Sequence, residues 1–151
     1  MFEDLNKIKL GEKQYPIKCD ISILEKIQEK YGSIEAFEDD ILTWEKALDK
    51  NGKEIIEEKT DENGEVLKKP KIKGKMPRIK YVNDFLFWVI QEGEMISADN
   101  EKREAKKYTR DQVVRLATNR KIMDLARELH DEFYRCLTPK NEETTQTQTE
   151  L

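Results

Sequence analysis

Val82-Asn-Asp-Phe-Leu-Phe-Trp-Val-Ile-Gln-Glu-Gly-Glu-Met-Ile96 is the densest apolar run in a chain that is 40% charged and only 36% hydrophobic. Phe85 to Ile90 are six large apolar residues in succession. Apolar positions at 82, 85, 86, 89, 90 and 96, with Gly93 among them, keep helical spacing, while Phe87 and Trp88 cover the flank that would otherwise be polar. Asn83 is suited to cap the first turn, because its short side chain accepts unpaired amides. A helix apolar nearly all round is a buried central helix, or one whose second face meets a partner. The run falls short of the roughly 20 apolar residues a membrane span needs. The chain is therefore expected to fold around this helix.

Downstream, Ser97 to Tyr108 reads as a charged connection. Thr109-Arg-Asp-Gln112 is a reciprocal capping box opening a helix that buries Val113, Leu116 and Ala117. Asn119 marks a break or a second start. In the last helix Ile122, Ala126, Leu129, Phe133 and Cys136 recur in steps of four and three. That spacing lasts about two heptads, short of the three to four that indicate a coiled coil, so a docked helix is expected. Pro139 ends it, and residues 138–151 form a polar tail with nothing to bury.

Upstream, Ile8 and Leu10 alternate with lysines, Tyr15, Ile17 and Cys19 alternate after them, and Gly11 lies between. This is a β-hairpin with one apolar face, which must lie on helices because two strands alone are marginal in water. Asp20 caps a helix carrying Ile21, Leu24, Ile27 and Tyr31, closed by Gly32. Ser33 caps the next, with Ile34, Phe37, Ile41, Trp44 and Leu48 on one stripe. So short a connection predicts an antiparallel or sharply angled pair.

Between residues 49 and 80 the character changes. Asp49-Lys-Asn-Gly-Lys53 and Asp61-Glu-Asn-Gly-Glu65 both hold the Asn-Gly pair that suits a type I′ turn. Ile55-Ile56 and Val66-Leu67 flank the second turn and can pair as a short exposed hairpin. A calcium loop needs acids at its first, third and fifth positions, and counting back from Gly52 and Gly64 puts Ala47 and Lys59 first, so that reading fails. Lys68 to Lys80 holds basic residues and two prolines with no acid. It reads either as a solvated, partly disordered linker or as a phosphate-contacting strip. No aromatic is interleaved before Tyr81, so a stacking platform for single strands is missing.

The fold class expected is mainly α (α+β): one helical domain over residues 1–137, of about five helices with an N-terminal β-hairpin. A charged insertion at about 49–80 interrupts it. A net charge of −4 argues against a surface given over to nucleic acid. No leader segment or membrane anchor is evident, so Cys19 and Cys136 read as reduced thiols in a cytoplasm.

Reactive constellations are scarce. His130 is the sole histidine, and with the two cysteines it leaves a structural zinc site short of four ligands. His130 and Cys136 sit about 120° apart around one helix, so they form no dyad there, and His130 reads as a surface residue. Adjacent carboxylates such as Asp39-Asp40 and Glu142-Glu143 diverge on a helix. No Gly-rich phosphate cradle is present. The reading is a non-enzyme without catalytic residues, metal or cofactor.

The order of elements resembles the tail assembly chaperones of long-tailed bacteriophages and prophages. The resemblance rests on Lys13-Gln-Tyr-Pro-Ile-Lys18, the helix Asp20 to Gly32, the helix Phe85 to Gly93, and Tyr108 to Leu116 before a last helix and polar tail. It covers roughly residues 5–48 and 81–137, lies in layout and apolar pattern, and leaves residues 49–80 outside. It implies a chaperone in the infected cell's cytoplasm that binds the tail tape measure protein and recruits tail tube subunits, with room for a homo-oligomer and no membrane. Leu129, Phe133 and Tyr134 on the last helix are the partner-binding residues this reading nominates, as those most in excess of a small core. The alternative is a nucleic-acid-binding accessory protein using 68–80 and Lys102 to Lys107; nucleic acid is the less favoured partner.

Overall fold

The computed structural model describes residues 4–138. Five helices, an N-terminal two-stranded hairpin and further short strands make a mixed α+β protein. The axis is α3, Ile79–Asn100, which buries Val82, Phe85, Leu86, Val89, Ile90 and Ala98. This helix outruns 82–96 at both ends. It starts after Arg78, not Asn83, because the Arg78 amide is held by the carbonyl of Asp40 at 2.7 Å and fixes the entry point one turn earlier. No breaker interrupts 97–100, so the helix runs on until Lys102 turns left-handed (φ 54°). There Lys102 N–H donates to Asp99 and Arg103 N–H to Ala98, the paired bonds of a Schellman closure. None of the helices is long and apolar enough to cross a membrane among the described residues.

Strands β1 (Asn6–Leu10) and β2 (Lys13–Ile17) form the expected hairpin. Gly11 (φ 65°) leads its two-residue turn, which suits type II′. Ile8, Leu10 and Ile17 face inward, and β2 lies directly across α3. The crossing point is Gly93: a Cβ there would lie 2.1 Å from the Pro16 carbonyl oxygen and 2.7 Å from Ile17 Cα. Just beyond, Lys18 N–H donates to the Val89 carbonyl at 3.0 Å, a main-chain bond from hairpin to helix.

Helix α1 (Ile21–Tyr31) is capped by Asp20 and closed by Gly32 (φ 83°); α2 (Ile34–Ile41) is capped by Ser33. The inward stripe of α1 is Ile23 and Ile27, whereas Ile21, in the first turn, is 80% exposed. Phe37 of α2 lies at the centre of the core, its ring 5.2 Å from Tyr31, 5.6 Å from Phe85 and 5.7 Å from Phe133. Such pairs add about 0.5–1.5 kcal/mol each beyond area burial. Helix α4 (Arg110–Leu116) opens on the Thr109–Gln112 capping box, and α5 (Ile122–Leu137) buries Leu125, Ala126, Leu129 and Phe133.

The stripe of α2 does not continue to Trp44 and Leu48. Leu42 turns extended, and the chain enters β3 (Trp44–Lys46), which pairs with β6 (Ile72–Gly74). Between them, β4 (Ile56–Thr60) pairs with β5 (Val66–Pro70). The pieces meet at a three-way junction: Ala47 N–H donates to Lys71, Lys71 N–H to Ile55 and Ile55 N–H to Ala47. Residues 68–70 and 72–74, in the stretch read as a linker or a phosphate-contacting strip, are thus strand, with Lys68, Lys69 and Lys73 facing Glu58, Glu57 and Glu45 across the ladders. An exposed hairpin around the second turn is present, but in another register than read: Val66 and Leu67 pair with Thr60 and Lys59, and Ile56 pairs with Pro70. Its Asn-Gly turn is not type I′, since only the glycine has positive φ. Instead Asp61 accepts the amides of Asn63 and Glu65 on one carboxylate oxygen, and Asp49 does the same for Asn51 and Lys53. The aspartate two residues before each asparagine selects this bulged turn. No residue of 44–74 enters the main core cluster, so this segment is a β-arm on a helical body.

Candidate functional site

The nominated residues of α5 part company. Leu129 and Phe133, four apart and facing α2 and α3, are buried in the core. They correct the expectation of a docking face there: with 36% apolar content the core needs both. Tyr134 follows Phe133 by one position, about 100° round the helix, and is 58% exposed. His130 is half-buried and bonded, its Nε2 2.9 Å from Glu38 Oε2, which joins α5 to α2. Cys136, in the last turn of α5, meets Cys19, which lies between β2 and α1. The thiol–thiol hydrogen bond and burial push the Cys19 thiol far above the usual range, and the same bond lowers that of Cys136. Among the described residues no group of three or more His, Cys, Asp or Glu is placed to hold a metal ion.

Two surfaces remain. The first is the β-arm. Glu45 and Lys73 pair on one face of its stem at 3.5 Å, leaving Trp44 and Ile72 on the opposite face, 43% and 57% exposed. Farther out Ile56 and Val66 share a face, and both are more than half exposed. Leu48, Met76 and Ile79 add exposed apolar area around the root. Lys68 and Lys69 sit opposite Glu58 and Glu57 across the ladder, which breaks up the basic strip that a nucleic-acid reading of 68–80 needs. The sequence pattern showed the outer hairpin, while Trp44 and Leu48 were hidden in an apparent helix.

The second surface is held by two buried carboxylates that periodicity did not reveal. Asp84, 2% exposed, accepts from Lys30 at 2.7 Å, from Arg110 at 2.6 Å and from the Tyr31 hydroxyl. Burial alone would raise its carboxyl, but these three donors outweigh it and hold it below the usual range. Glu94, 5% exposed, takes a forked contact from Arg103 at 2.7 and 3.0 Å and the Lys106 amide at 2.7 Å. The Gln91 side chain grips the same loop through the Lys106 carbonyl and the Tyr108 amide. The loop from α3 to α4 is therefore fixed against α3 by charge-assisted bonds.

Between that loop, α4 and β2 lies an open groove of about 700 Å³. Lys13, Lys106, Lys107 and Arg115 give it a positive lining, and Tyr15 and Tyr108 meet edge-to-face beside it with centroids 6.5 Å apart. Arg78, Arg103, Arg110, Arg120, Arg127 and Arg135 each lie against a carboxylate. Arg115, the remaining arginine, has no such partner among the described residues. Comparison with protein-family models, with curated proteins and with solved structures finds no match to this chain.

Proposed function

We propose that this chain is a non-catalytic tail assembly chaperone of a long-tailed bacteriophage or prophage, acting in the host cytoplasm. It holds the tail tape measure protein and recruits tail tube subunits. The layout of hairpin and helices supports the reading; the polar tail expected at 138–151 lies, but for Thr138, outside the described residues. The observation that carries its protein-binding part is the arm, most of which lies outside the resemblance: a self-contained core is complete without residues 44–74, which nonetheless display Trp44, Leu48, Ile56, Val66 and Ile72 to solvent. Exposed apolar residues gathered on a projecting element mark a protein-binding surface. A highly charged body keeps a complex with a long amphipathic helix soluble.

The test is co-expression with the tape measure and tube proteins encoded beside this gene. The tape measure protein should stay soluble and co-purify, and Trp44→Glu combined with Ile72→Glu should abolish recovery while leaving the circular dichroism spectrum unchanged. A tape measure protein that neither co-purifies nor gains solubility would overturn the proposal.

A further inference from the structure

We infer that the groove between β2, the α3–α4 loop and α4 binds an extended acidic peptide segment of a partner protein. The inference rests on the protein-binding reading above but not on the arm or on any tail protein. Its lining converges four cations, Lys13, Lys106, Lys107 and Arg115, in one concave site. Among the described residues no carboxylate pairs with Arg115, although every other arginine has one. A guanidinium matches a carboxylate as a two-pronged fork, which a lone ammonium cannot do. The one acid in the lining, Glu94, is already neutralised by Arg103 and the Lys106 amide. The groove therefore presents net positive charge on a chain whose overall charge is −4.

The geometry favours an extended chain. Strand β2 pairs only with β1, so its other edge borders the groove at Lys13 to Pro16. In a hairpin closed by Leu10 and Lys13, alternation turns the N–H and C=O of Gln14 away from β1 as one main-chain anchor for an extended segment, while the next outward residue, Pro16, has no N–H and its carbonyl lies against Gly93. Gln112, whose oxygen is bound to the Thr109 amide, borders the other side. A nucleic acid fits less well. Tyr15 and Tyr108 pack on each other and on the core, so neither offers a platform for stacking bases.

Fluorescence anisotropy with labelled hexaglutamate tests this on the full chain at low salt, with hexaglutamine, oligo-dT and inorganic phosphate as competitors. Hexaglutamate should bind and be displaced by salt, and hexaglutamine should not compete. Arg115→Ala should weaken binding at least about tenfold, the weight of one charge-assisted contact. Arg115→Lys should recover only part of the loss, since the fork is gone. Lys68→Gln with Lys69→Gln, on the arm, should bind as wild type does. Thermal melts unchanged from wild type would show that Arg115 variants are folded. Lys106→Gln with Lys107→Gln gives a second reading if they are not. Four results would each overturn the inference: no binding, equal binding by all variants, tighter competition from oligo-dT, or competition by phosphate at peptide concentrations. Failure here with successful tape measure co-purification would remove the groove and leave the chaperone proposal standing.

Discussion

Gly93→Ala is the sharpest test of how hairpin and helix are joined. The added methyl would sit 2.1 Å from the Pro16 carbonyl oxygen, 2.4 Å from its carbon and 2.7 Å from Ile17 Cα, all main-chain atoms. No side-chain rotation relieves such contacts, so β2 must lift from α3 and strain the Lys18–Val89 bond. Overpacking ordinarily costs about 1–3 kcal/mol. A rigid backbone obstacle places this case slightly higher, at about 4 kcal/mol. Alanine returns about 1 kcal/mol through its helix propensity, leaving a net loss of about 3 kcal/mol. For a domain of this size that lowers Tm by roughly 10 °C. Circular dichroism melts in heat and urea measure it. Gly74→Ala, whose new methyl would meet nothing within 4 Å, is the control and should shift little. A Gly93→Ala protein melting at or above wild type would refute the crossing, because propensity alone would then be acting.

Three further outcomes are expected. Asp84→Ala should cost about 3 kcal/mol at neutral pH by leaving Lys30 and Arg110 without their buried partner. Because the folded carboxyl titrates below its ordinary 3.8, that stability is present above the ordinary value and fades as pH falls through the folded one; urea melts at pH 7 and pH 3 should show the difference between variant and wild type shrinking. Glu92 shares a hydrogen bond with Asp20, which with burial pushes its carboxyl up to about 7. A raised folded pKa stabilises below the ordinary 4.5 and loses that stabilisation as pH climbs through about 7. Wild type should therefore weaken from pH 5 to pH 8 and Glu92→Gln should weaken less; parallel slopes would dismiss the pairing. In the folded protein iodoacetamide should modify Cys136 well before Cys19, read by peptide mass spectrometry, since only the former has a lowered thiol pKa and partial exposure. The reverse order would contradict the arrangement.

Signals carried within one turn were legible. Thr109 with Gln112, Asp20, Ser33 and Gly32 all act as local chemistry dictates, and the alternation of Ile8, Leu10 and Ile17 does place one face of the hairpin on the core. What failed depended on partners remote in sequence. Trp44 and Leu48 keep helical spacing after Ile41, yet β6, nearly thirty residues on, claims Trp44 for a ladder. Leu129 and Phe133 looked surplus because the core's demand is set by Phe37 and Phe85 from other helices. Asp84 reads as a polar flank of the apolar run until Lys30, Tyr31 and Arg110 converge on it. The groove was invisible for the same reason: Lys13, Lys106 and Arg115 become neighbours only when β2 crosses α3. The turn type was a different kind of miss, since Asp49 and Asp61 were present locally and outweighed Asn-Gly.

The arm leaves and re-enters the body at adjacent points: the Lys75 amide donates to the Thr43 carbonyl at 2.9 Å. Two chain ends one hydrogen bond apart can be closed by a tight turn without moving α2 or α3. The segment between them behaves as a cassette, open to excision, lengthening or exchange while the helices keep their register. Partner choice in such a molecule can drift independently of its foldability, and a minimal version lacking 44–74 would make a scaffold onto which other arms could be grafted.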